Sequence, residues 1–373
     1  MTIQFSGASN RKTTPEKNKA SGADKKGLLK SRETGVDRQL DQTVRPKTLS
    51  EFIGQTHLKA SLNITLGAAR HREETLDHVL FYGPPGLGKT TLAMALAHEM
   101  GTEIHITSAP ALERPRDILG ILMSLPPGGI LFIDEIHRLN KVAEEILYPA
   151  MEDFTLDRTI GKGESAKILR VPLPRFTLVG ATTKAGSVSG PLRDRFGIVY
   201  RLNFYEPDEL VHIVTRSAGI LEIGITPEAA LAIAQRSRGT PRIANRLLRR
   251  VRDFVQVQNK NSNIDASSAV AALDLFEIDL LGLDPSDRRL LTLMIEHFAG
   301  GPVGLDTLAS SLGEDARTIE DVIEPFLLQA GLIHRTPRGR IVSAKACQHL
   351  QLAPPKVLSE LGEWADQQAL FES

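Results

Sequence analysis

The sequence predicts an α/β domain with a parallel sheet covered by helices on both faces, followed by an all-α domain and a C-terminal winged helix. Short apolar runs alternate with helical patterns from about residue 78 to residue 202, only helical patterns follow Glu206, and three helices with a short β pair come last. The apolar runs are continuous, which is typical of strands buried on both faces. The length of 373 residues fits two to three domains.

The first predicted element is a helix from about Gln55 to His71, which follows a turn fixed by Pro46. Strands are predicted at 78–82, 103–106, 130–133, 176–181 and 198–202, and helices at 89–100 and 141–151. In such parallel sheets, ligands bind at the carboxyl ends of the strands. This first domain is predicted to span residues 44–207.

The pattern changes twice in the second half of the chain. Helices are predicted at 208–218, 227–237 and 241–259, which make a small all-α domain over residues 208–283. Helices at 287–298, 306–312 and 316–330 then precede strands at 332–335 and 340–343, joined by a turn at 337–339. This combination predicts a winged helix, a helix-turn-helix variant, over residues 284–355, with residues 356–373 as a tail.

The N-terminal stretch differs in composition from the rest. Residues 1–47 contain eleven lysines and arginines, five acidic residues and few apolar ones. Such a composition predicts a disordered basic extension over residues 1–43. The alternative is an arm that contacts DNA phosphates.

Composition excludes several classes. The chain is 41% hydrophobic and 24% charged, with no apolar run near the roughly 18 residues of a membrane span and no apolar region typical of a secretory signal. A single cysteine, Cys347, excludes an internal disulfide framework. We therefore expect a cytoplasmic protein without membrane partners. The formal net charge of zero means that any nucleic-acid contact must be local.

A phosphate-binding loop follows the strand predicted at 78–82. Its residues are Gly83-Pro84-Pro85-Gly86-Leu87-Gly88-Lys89-Thr90. Gly83, Gly86 and Gly88 let the backbone N–H groups face the phosphates, while Lys89 reaches the β/γ oxygens and Thr90 ligates Mg²⁺. The sequence therefore predicts a nucleoside triphosphate site.

Two carboxylates follow the strand predicted at 130–133. Asp134 is expected to hold the Mg²⁺ shell, and Glu135 to orient and activate the attacking water. A solvated strand end is the alternative, but the phosphate-binding loop upstream favours hydrolysis of the triphosphate.

The order of these motifs resembles that of the AAA+ ATPases, and nearly the whole ordered chain resembles the RuvB family of branch-migration motors. The resemblance rests on Arg45–Lys47, Gly83–Thr90, Ile133–Arg138, Gly180–Thr183, Gly239–Arg242 and Arg335–Arg340. The N-terminal forty residues depart from it, since they are longer than the usual start of the family.

The resemblance implies further site residues. Thr182 or Thr183 would be the sensor that bonds the water or γ-phosphate, and Arg242 a second sensor that couples the γ-phosphate to the helical lid. Arg195 would be an arginine finger supplied to a neighbouring subunit, and Arg193 is the competing candidate. The alternative without a catalytic role is a local surface ion pair between an arginine and Asp194. Positions around the base and ribose would be Val44, Arg45, Thr91, Glu152, Asp153, Phe154 and Tyr205.

The resemblance also implies partners. A ring with a finger in trans would be a homohexamer, which binds ATP and Mg²⁺ and pulls duplex arms through four-way DNA junctions in recombination and repair. DNA phosphates would be bound by Arg335 and Arg340 on the two arms of the wing, aided by Arg317 and Arg338; a wing used for protein contact is the alternative. A hairpin over residues 157–172 would bind the junction-holding partner RuvA through the apolar Ile160, Ile168 and Leu169, and RuvC would join the larger complex.

Two other functions and one other surface are weighed. A clamp-loader or helicase-loader type AAA+ ATPase would hydrolyse ATP mainly during assembly, and an ATP-gated DNA-binding switch would not translocate. The arginine-rich helix that begins at Arg242 is interpreted as a solvated lid face with ion pairs between subunits.

Overall fold

A parallel sheet forms the centre of the first domain in the computed structural model, which describes residues 43–160, 167–259 and 263–355. The elements of this domain are α1 Thr56–His71, β1 Val79–Tyr82, α2 Lys89–Met100, β2 Ile104–Ser108, α3 Pro115–Ser124, β3 Ile130–Asp134, α4 Lys141–Glu152, β4 Thr155–Ile160, β5 Lys167–Pro172, β6 Thr177–Thr182, α5 Gly190–Arg193 and β7 Ile198–Arg201. Five strands pair in the order β2-β3-β6-β1-β7, all parallel. The predicted α/β class is therefore confirmed.

Successive residues of each central strand enter two different cores. Phe81 of β1 and Phe132 of β3 pack in the core that includes residues of α1 and α2. Leu80 and Leu131 point to the opposite face and pack with residues of α3 and α4. Burial on both faces explains why these strands are continuous apolar runs.

The second domain is helical and shares the first of these cores. Its elements are α6 Pro207–Ile220, β8 Gly224–Ile225, α7 Pro227–Gln235, α8 Pro241–Asn259, β9 Asn263–Ile264 and α9 Ala266–Leu275. Leu210, Leu247 and Leu273 belong to the core that also contains Phe81. The lid is thus packed against one face of the sheet domain.

The third domain has a core of its own. It contains α10 Pro285–Phe298, α11 Leu305–Leu312, α12 Ala316–Thr318, a π-helical segment Ile319–Ile323, α13 Glu324–Gln329, β10 Ile333–Thr336, β11 Gly339–Val342 and α14 Ala344–His349. The wing is the antiparallel β10–β11 pair. The single helix predicted at 316–330 contains the π segment because Pro325 has no N–H to donate to the preceding turn.

Sequence patterns missed several elements. The helices α3, α5, α9 and α14 and the short parallel β8–β9 pair were not predicted. α9 is rich in alanine and serine, so its sequence has little of the apolar and polar contrast on which periodicity depends. The two-residue strands are defined by tertiary pairing alone.

Some predictions lie outside the described residues. These are the basic extension up to residue 42, the tip of the hairpin at 161–166 and the tail at 356–373. Within the described ranges, none of the helices combines the length and apolar character needed to cross a membrane. The exact domain boundaries stay predictions.

Candidate nucleotide site and nucleic-acid interface

The phosphate-binding loop lies between β1 and α2, as predicted. Gly83, Gly86 and Gly88 have φ angles of 140°, 82° and 102°, in the region that favours glycine. A Cβ on Gly83 would lie 2.5 Å from the carbonyl oxygen of Leu202, so no side chain fits there. The glycines therefore permit both the loop conformation and its close approach to the end of β7.

Lys89 is buried at the start of α2. Its Nζ donates hydrogen bonds to the carbonyl oxygens of Gly83 and Pro84, both at 2.8 Å. Burial lowers the pKa of Lys89 to about 8, while the nearby carboxylate of Asp134 acts in the opposite direction. The ammonium group is held beside the loop and close to the carboxylate at the end of β3.

A cavity of about 280 Å³ opens next to the loop. The predicted site residues that line it are Val44, Arg45, Gly86, Gly88, Lys89, Thr90, Thr91, Asp134, Glu135, Thr183, Tyr205 and Arg242. They come from the segment before α1, the loop, the end of β3, the end of β6 and the lid. The fold thus brings most of the predicted nucleotide site together.

The two carboxylates occupy the carboxyl end of β3. Glu135 has a left-handed φ of 49°, and its backbone N donates to Asp134 Oδ1 at 2.9 Å. Arg138 Nη1 donates to Glu135 Oε2 at 2.8 Å. The turn directs both carboxylates to the same cavity.

The oxygen donors in the cavity fit a magnesium ion. Thr90 and Asp134 both line it, which offers a hydroxyl and a carboxylate. Mg²⁺ prefers oxygen ligands and is usually bound by one or two protein groups together with substrate phosphates and water. These two residues are therefore suited to hold the ion beside bound phosphates.

The two candidate sensor threonines have different surroundings. Thr182 is buried, its Oγ1 lies 2.9 Å from His137 Nδ1, and it accepts a hydrogen bond from Lys184 N at 3.0 Å. Burial lowers the pKa of His137, which favours the neutral ring at pH 7. Only Thr183 of the pair lines the cavity. The geometry therefore favours Thr183 for a contact with nucleotide.

The lid touches the phosphate-binding loop directly. The backbone N of Arg242 donates to Gly86 O at 3.4 Å, and Tyr205 Oη donates to Leu87 O at 3.1 Å. A Cβ on Gly86 would lie 2.7 Å from Cγ2 of Thr240. The loop and the start of α8 are thus in direct contact.

Sequence reasoning missed several polar groups of the cavity, among them Arg216. Arg216 lines it from α6, donates to Val44 O at 2.7 Å and forms an ion pair with Glu51 at 3.1 Å. The pairing holds the segment before α1 against the lid. Its members lie far apart in sequence, and no local pattern would have indicated them.

Apart from Gly83 in the loop, four predicted nucleotide residues do not line this cavity. They are Glu152, Asp153, Phe154 and Arg195. Glu152 Oε1 forms an ion pair with Arg195 Nη2 at 2.9 Å, and Phe154 packs edge-on against Phe176. Glu152, Asp153 and Phe154 thus lie outside the cavity of their own chain, with Glu152 paired to Arg195, and their contact with the base and ribose stays a prediction.

Arg195 is held in place by contacts with several neighbouring groups. The Arg195 guanidinium lies 4.4 Å from the Tyr148 ring centroid and donates to Pro191 O at 2.6 Å. Its Nε is buried without a hydrogen-bond partner among the described residues. Arg193 is exposed. The ion-pair partner of Arg195 is Glu152, and not Asp194 as in the alternative of a local surface pair.

The wing arginines converge on one carboxylate. Arg335 and Arg340 are direct cross-strand partners, and both donate hydrogen bonds to Glu324. Arg335 is 47% exposed at its side chain and Arg340 only 16%. They lie on the two arms of the wing, as predicted, but both side chains bond Glu324 and therefore form one cluster. Arg338 and Arg317 are exposed.

The predicted partner-binding hairpin is present as the antiparallel β4–β5 pair, which begins at Thr155 and ends at Pro172. Leu169 is 50% exposed. The side chains of Ile160 and Ile168 lie outside what the structure describes. One of the three predicted apolar contacts is thus available at the surface.

The arginine-rich face of α8 is only partly solvated. Arg250 and Arg252 form ion pairs with Asp253, as expected for a surface. Arg249 is buried, and Asn245 lines the nucleotide cavity. The solvated-face interpretation is wrong for Arg249, because this face of α8 packs towards the cavity.

Comparison with known proteins covers all three domains. Residues 44–202 match the model of the Holliday junction DNA helicase RuvB P-loop domain, residues 205–279 the RuvB AAA lid domain, and residues 280–351 the RuvB C-terminal winged helix domain.

Individual relatives match over most of their length. The chain is 56% identical over 362 residues to the Holliday junction branch migration complex subunit RuvB of Rippkaea orientalis, which covers 96% of this chain and 99% of that protein. It is 59% identical over 320 residues to the subunit of the same name from Synechocystis, with 86% and 88% covered. The solved structure of the Thermotoga maritima RuvB branch migration motor superposes with a TM-score of 0.76 at 51% identity, over 84% of this chain and all of that one. The chain belongs to the RuvB family of P-loop AAA+ ATPases.

Proposed function

We propose that this protein is an ATP-driven motor that pulls duplex arms through Holliday junctions. The observation that carries the proposal is a short connection between its two sites. Arg242 lines the nucleotide cavity, while Arg238, four residues earlier, is buried against the winged-helix domain. A change at the nucleotide therefore has a rigid route to the domain that we expect to bind DNA.

The roles at the cavity follow from its geometry. Lys89 and the loop N–H groups would bind the phosphates, and Thr90 and Asp134 would hold Mg²⁺, which would supply positive charge to the phosphate oxygens. Glu135 orients and activates the attacking water once its carboxylate exchanges Arg138 for that water. Thr183 bonds the water or the γ-phosphate at the cavity wall.

Completion of the site requires a second subunit. Arg195 and Glu152 form a cluster apart from the cavity of their own chain. Supplied by a neighbour, Arg195 would neutralise charge in the transition state, and Glu152, Asp153 and Phe154 would flank the nucleotide from the same side. A finger in trans needs a closed ring, since an open end would leave a site incomplete. The family resemblance supports a homohexamer for this ring.

Several contacts join the nucleotide domains to the winged helix, and two of them start from residues close in sequence to the nucleotide cavity. Arg238 donates to Gly282 O at 2.6 Å and to Asp287 Oδ2 at 2.5 Å, and lies 4.9 Å from the Phe326 ring centroid. Lys184, whose backbone bonds the hydroxyl of Thr182, forms an ion pair with Asp321 at 3.0 Å. The first contact is buried, so we expect the winged helix to move with the lid.

DNA binding is assigned to the wing, where Arg335, Arg338 and Arg340 are close together and Arg317 adds an exposed positive charge. Phosphate contacts carry no sequence information, which suits a motor that must pass over any sequence. Leu169 on the β4–β5 hairpin supports a RuvA contact because it is an exposed apolar residue. RuvC and the recombination and repair roles stay predictions from the family resemblance, and a cytoplasmic location stays a prediction from composition.

The decisive experiment is ATP-driven separation of a synthetic four-way junction in the presence of RuvA, with Glu135→Gln as the inactive control. We expect separation by the wild type and none by the variant, which should still bind ATP. Tight ATP-dependent binding without separation would favour a loader or a switch. Only a motor should consume more ATP as the length of the junction arms increases.

A further inference from the structure

A fully buried glutamate lies behind the wing. Glu324 is 0% exposed and begins α13, next to the π-helical segment. Both of its oxygens accept hydrogen bonds from arginines of the wing. Arg340 Nε bonds Oε1, and Oε2 accepts from Arg335 Nε at 3.0 Å, from Arg335 Nη2 and from Arg340 Nη2 at 3.3 Å.

Stability alone does not explain this arrangement. Removal of a carboxylate from water costs several kcal/mol, and replacement of such buried ion clusters by apolar residues is often neutral or stabilising. The cluster instead fixes the orientation of the guanidinium groups, because a planar guanidinium that is bonded along its Nε edge is held in one orientation.

The two arginines are not equivalent. The Nε and Nη2 side of Arg335 faces Glu324, while nearly half of its side chain stays exposed. Arg340 bonds the same carboxylate but is 16% exposed. Arg335 therefore has donor groups left for a phosphate, whereas Arg340 mainly completes the surroundings of Glu324.

We propose that Glu324 is a positioning residue for DNA binding, which holds the Arg335 guanidinium with its free edge towards the DNA backbone, and that Arg340 acts chiefly by fixing Glu324. This inference rests on the proposed DNA-binding role of the wing. It assigns to a buried acidic residue a favourable effect on the binding of an acidic ligand.

The direction in which Glu324→Gln changes DNA affinity distinguishes a positioning role from a purely electrostatic one. Glu324→Gln removes one negative charge from the basic surface, so electrostatics alone predicts tighter DNA binding. Positioning predicts weaker binding and a salt dependence reduced by about one phosphate contact. The matched control is Glu320→Gln. Glu320 is 3.9 Å from Arg335 Nη2 and partly exposed, so its loss removes a charge without loss of that cluster.

The test uses the full-length protein, a labelled duplex and a labelled four-way junction, each titrated at several salt concentrations. We expect weaker binding and a lower salt slope for Glu324→Gln, and equal or tighter binding with an unchanged slope for Glu320→Gln. Glu324→Asp keeps the charge but withdraws the carboxylate by one methylene, so it should lower the slope like Glu324→Gln. This second variant decides the matter if Glu324→Gln does not fold.

Measurements in an Arg335→Ala background separate the role of Glu324 from the DNA-binding role of the wing. If Glu324 acts through Arg335, Glu324→Gln has no further effect on the salt slope in that background. Binding by Glu324→Gln and Glu324→Asp that is as tight as the wild type, together with weaker binding by Arg335→Ala, would overturn the role of Glu324 alone. Unchanged binding by Arg335→Ala would overturn the DNA-binding role of the wing itself.

Discussion

At the scale of single residues, the surroundings of a charged group decide what it can do. Lys89 belongs to a sequence motif, but its lowered pKa arises from burial beside the loop carbonyls. Glu135 likewise belongs to a recognisable pair, yet its left-handed backbone directs its carboxylate towards Arg138. The motif identifies each residue, while the fold sets the pKa of Lys89 and the direction of the Glu135 side chain.

The lowered pKa of Lys89 predicts proton uptake on nucleotide binding. Below a pH of about 8 the ammonium is already charged, so binding should not depend on this group. As the pH rises through about 8, phosphates must draw a proton onto Lys89, and affinity should fall by up to about tenfold per pH unit. Calorimetry of ATP binding to Glu135→Gln, in buffers of different ionisation enthalpy at about pH 7 and about pH 9, measures this uptake. Equal proton uptake at both pH values would contradict the prediction.

At the scale of elements, His78 connects three of them. It lies just before β1, accepts a hydrogen bond from Leu178 N of β6 at 2.8 Å, and its Nε2 is 3.1 Å from Met151 O of α4. Because Nδ1 accepts, the proton must be on Nε2, which donates to Met151. Sequence patterns predicted no role for His78 beyond the start of a strand.

His78 predicts a loss of stability in acid. Burial lowers its pKa below the ordinary value of 6.5. The unfolded chain therefore binds more protons below that pH, and the folded state loses stability as the pH falls from about 6.5 towards the lowered pKa. His78→Gln should unfold at a lower temperature at neutral pH but show a weaker dependence on pH below 6.5. Thermal unfolding across this range is the measurement, and parallel curves for both proteins would exclude His78 as the source.

Gly86 lies at the contact between the phosphate-binding loop and the lid, and we expect this contact to be sensitive to a side chain at that position. A Cβ there would meet Thr240 and also lie 3.0 Å from Cβ of Arg242, and its φ of 82° is unfavourable for other residues. Gly86→Ala should therefore push the lid from the loop and weaken ATP binding by about fivefold to 150-fold, which corresponds to a cost of about 1–3 kcal/mol in strained backbone. Gly101→Ala is a suitable control for left-handed strain, because its Cβ would meet no atom within 4 Å.

At the scale of the whole molecule, one buried ion cluster joins the lid to the winged helix. Arg238 is paired with Asp287 and lies 3.7 Å from Asp284, and both carboxylates are fully buried. The same segment continues through Gly239 to Arg242 in the nucleotide cavity. We therefore expect a conformational change at the nucleotide to displace the winged helix together with the lid.

Arg238→Met should separate these parts. Removal of one partner of a buried ion pair costs about 3–5 kcal/mol, because the remaining carboxylates stay buried. We expect the winged helix to unfold at a lower temperature and junction separation to be lost while ATP is still bound. Arg236→Met is the matched control, since Arg236 is equally buried but its partner Asp274 is exposed. A smaller loss of stability for Arg238→Met than for Arg236→Met would contradict this role.

The sequence by itself determined the order of domains, the phosphate-binding loop and the carboxylates after β3. Each depends on a local pattern, since a strand, a turn and a helix that are adjacent in sequence fix the backbone around Gly83–Thr90 and Asp134. Only the tertiary structure brought Arg216 to Glu51, separated Arg195 from the cavity and enclosed Glu324 between two arginines. Such contacts join segments distant in sequence, and their geometry depends on how whole elements pack rather than on any periodicity along the chain.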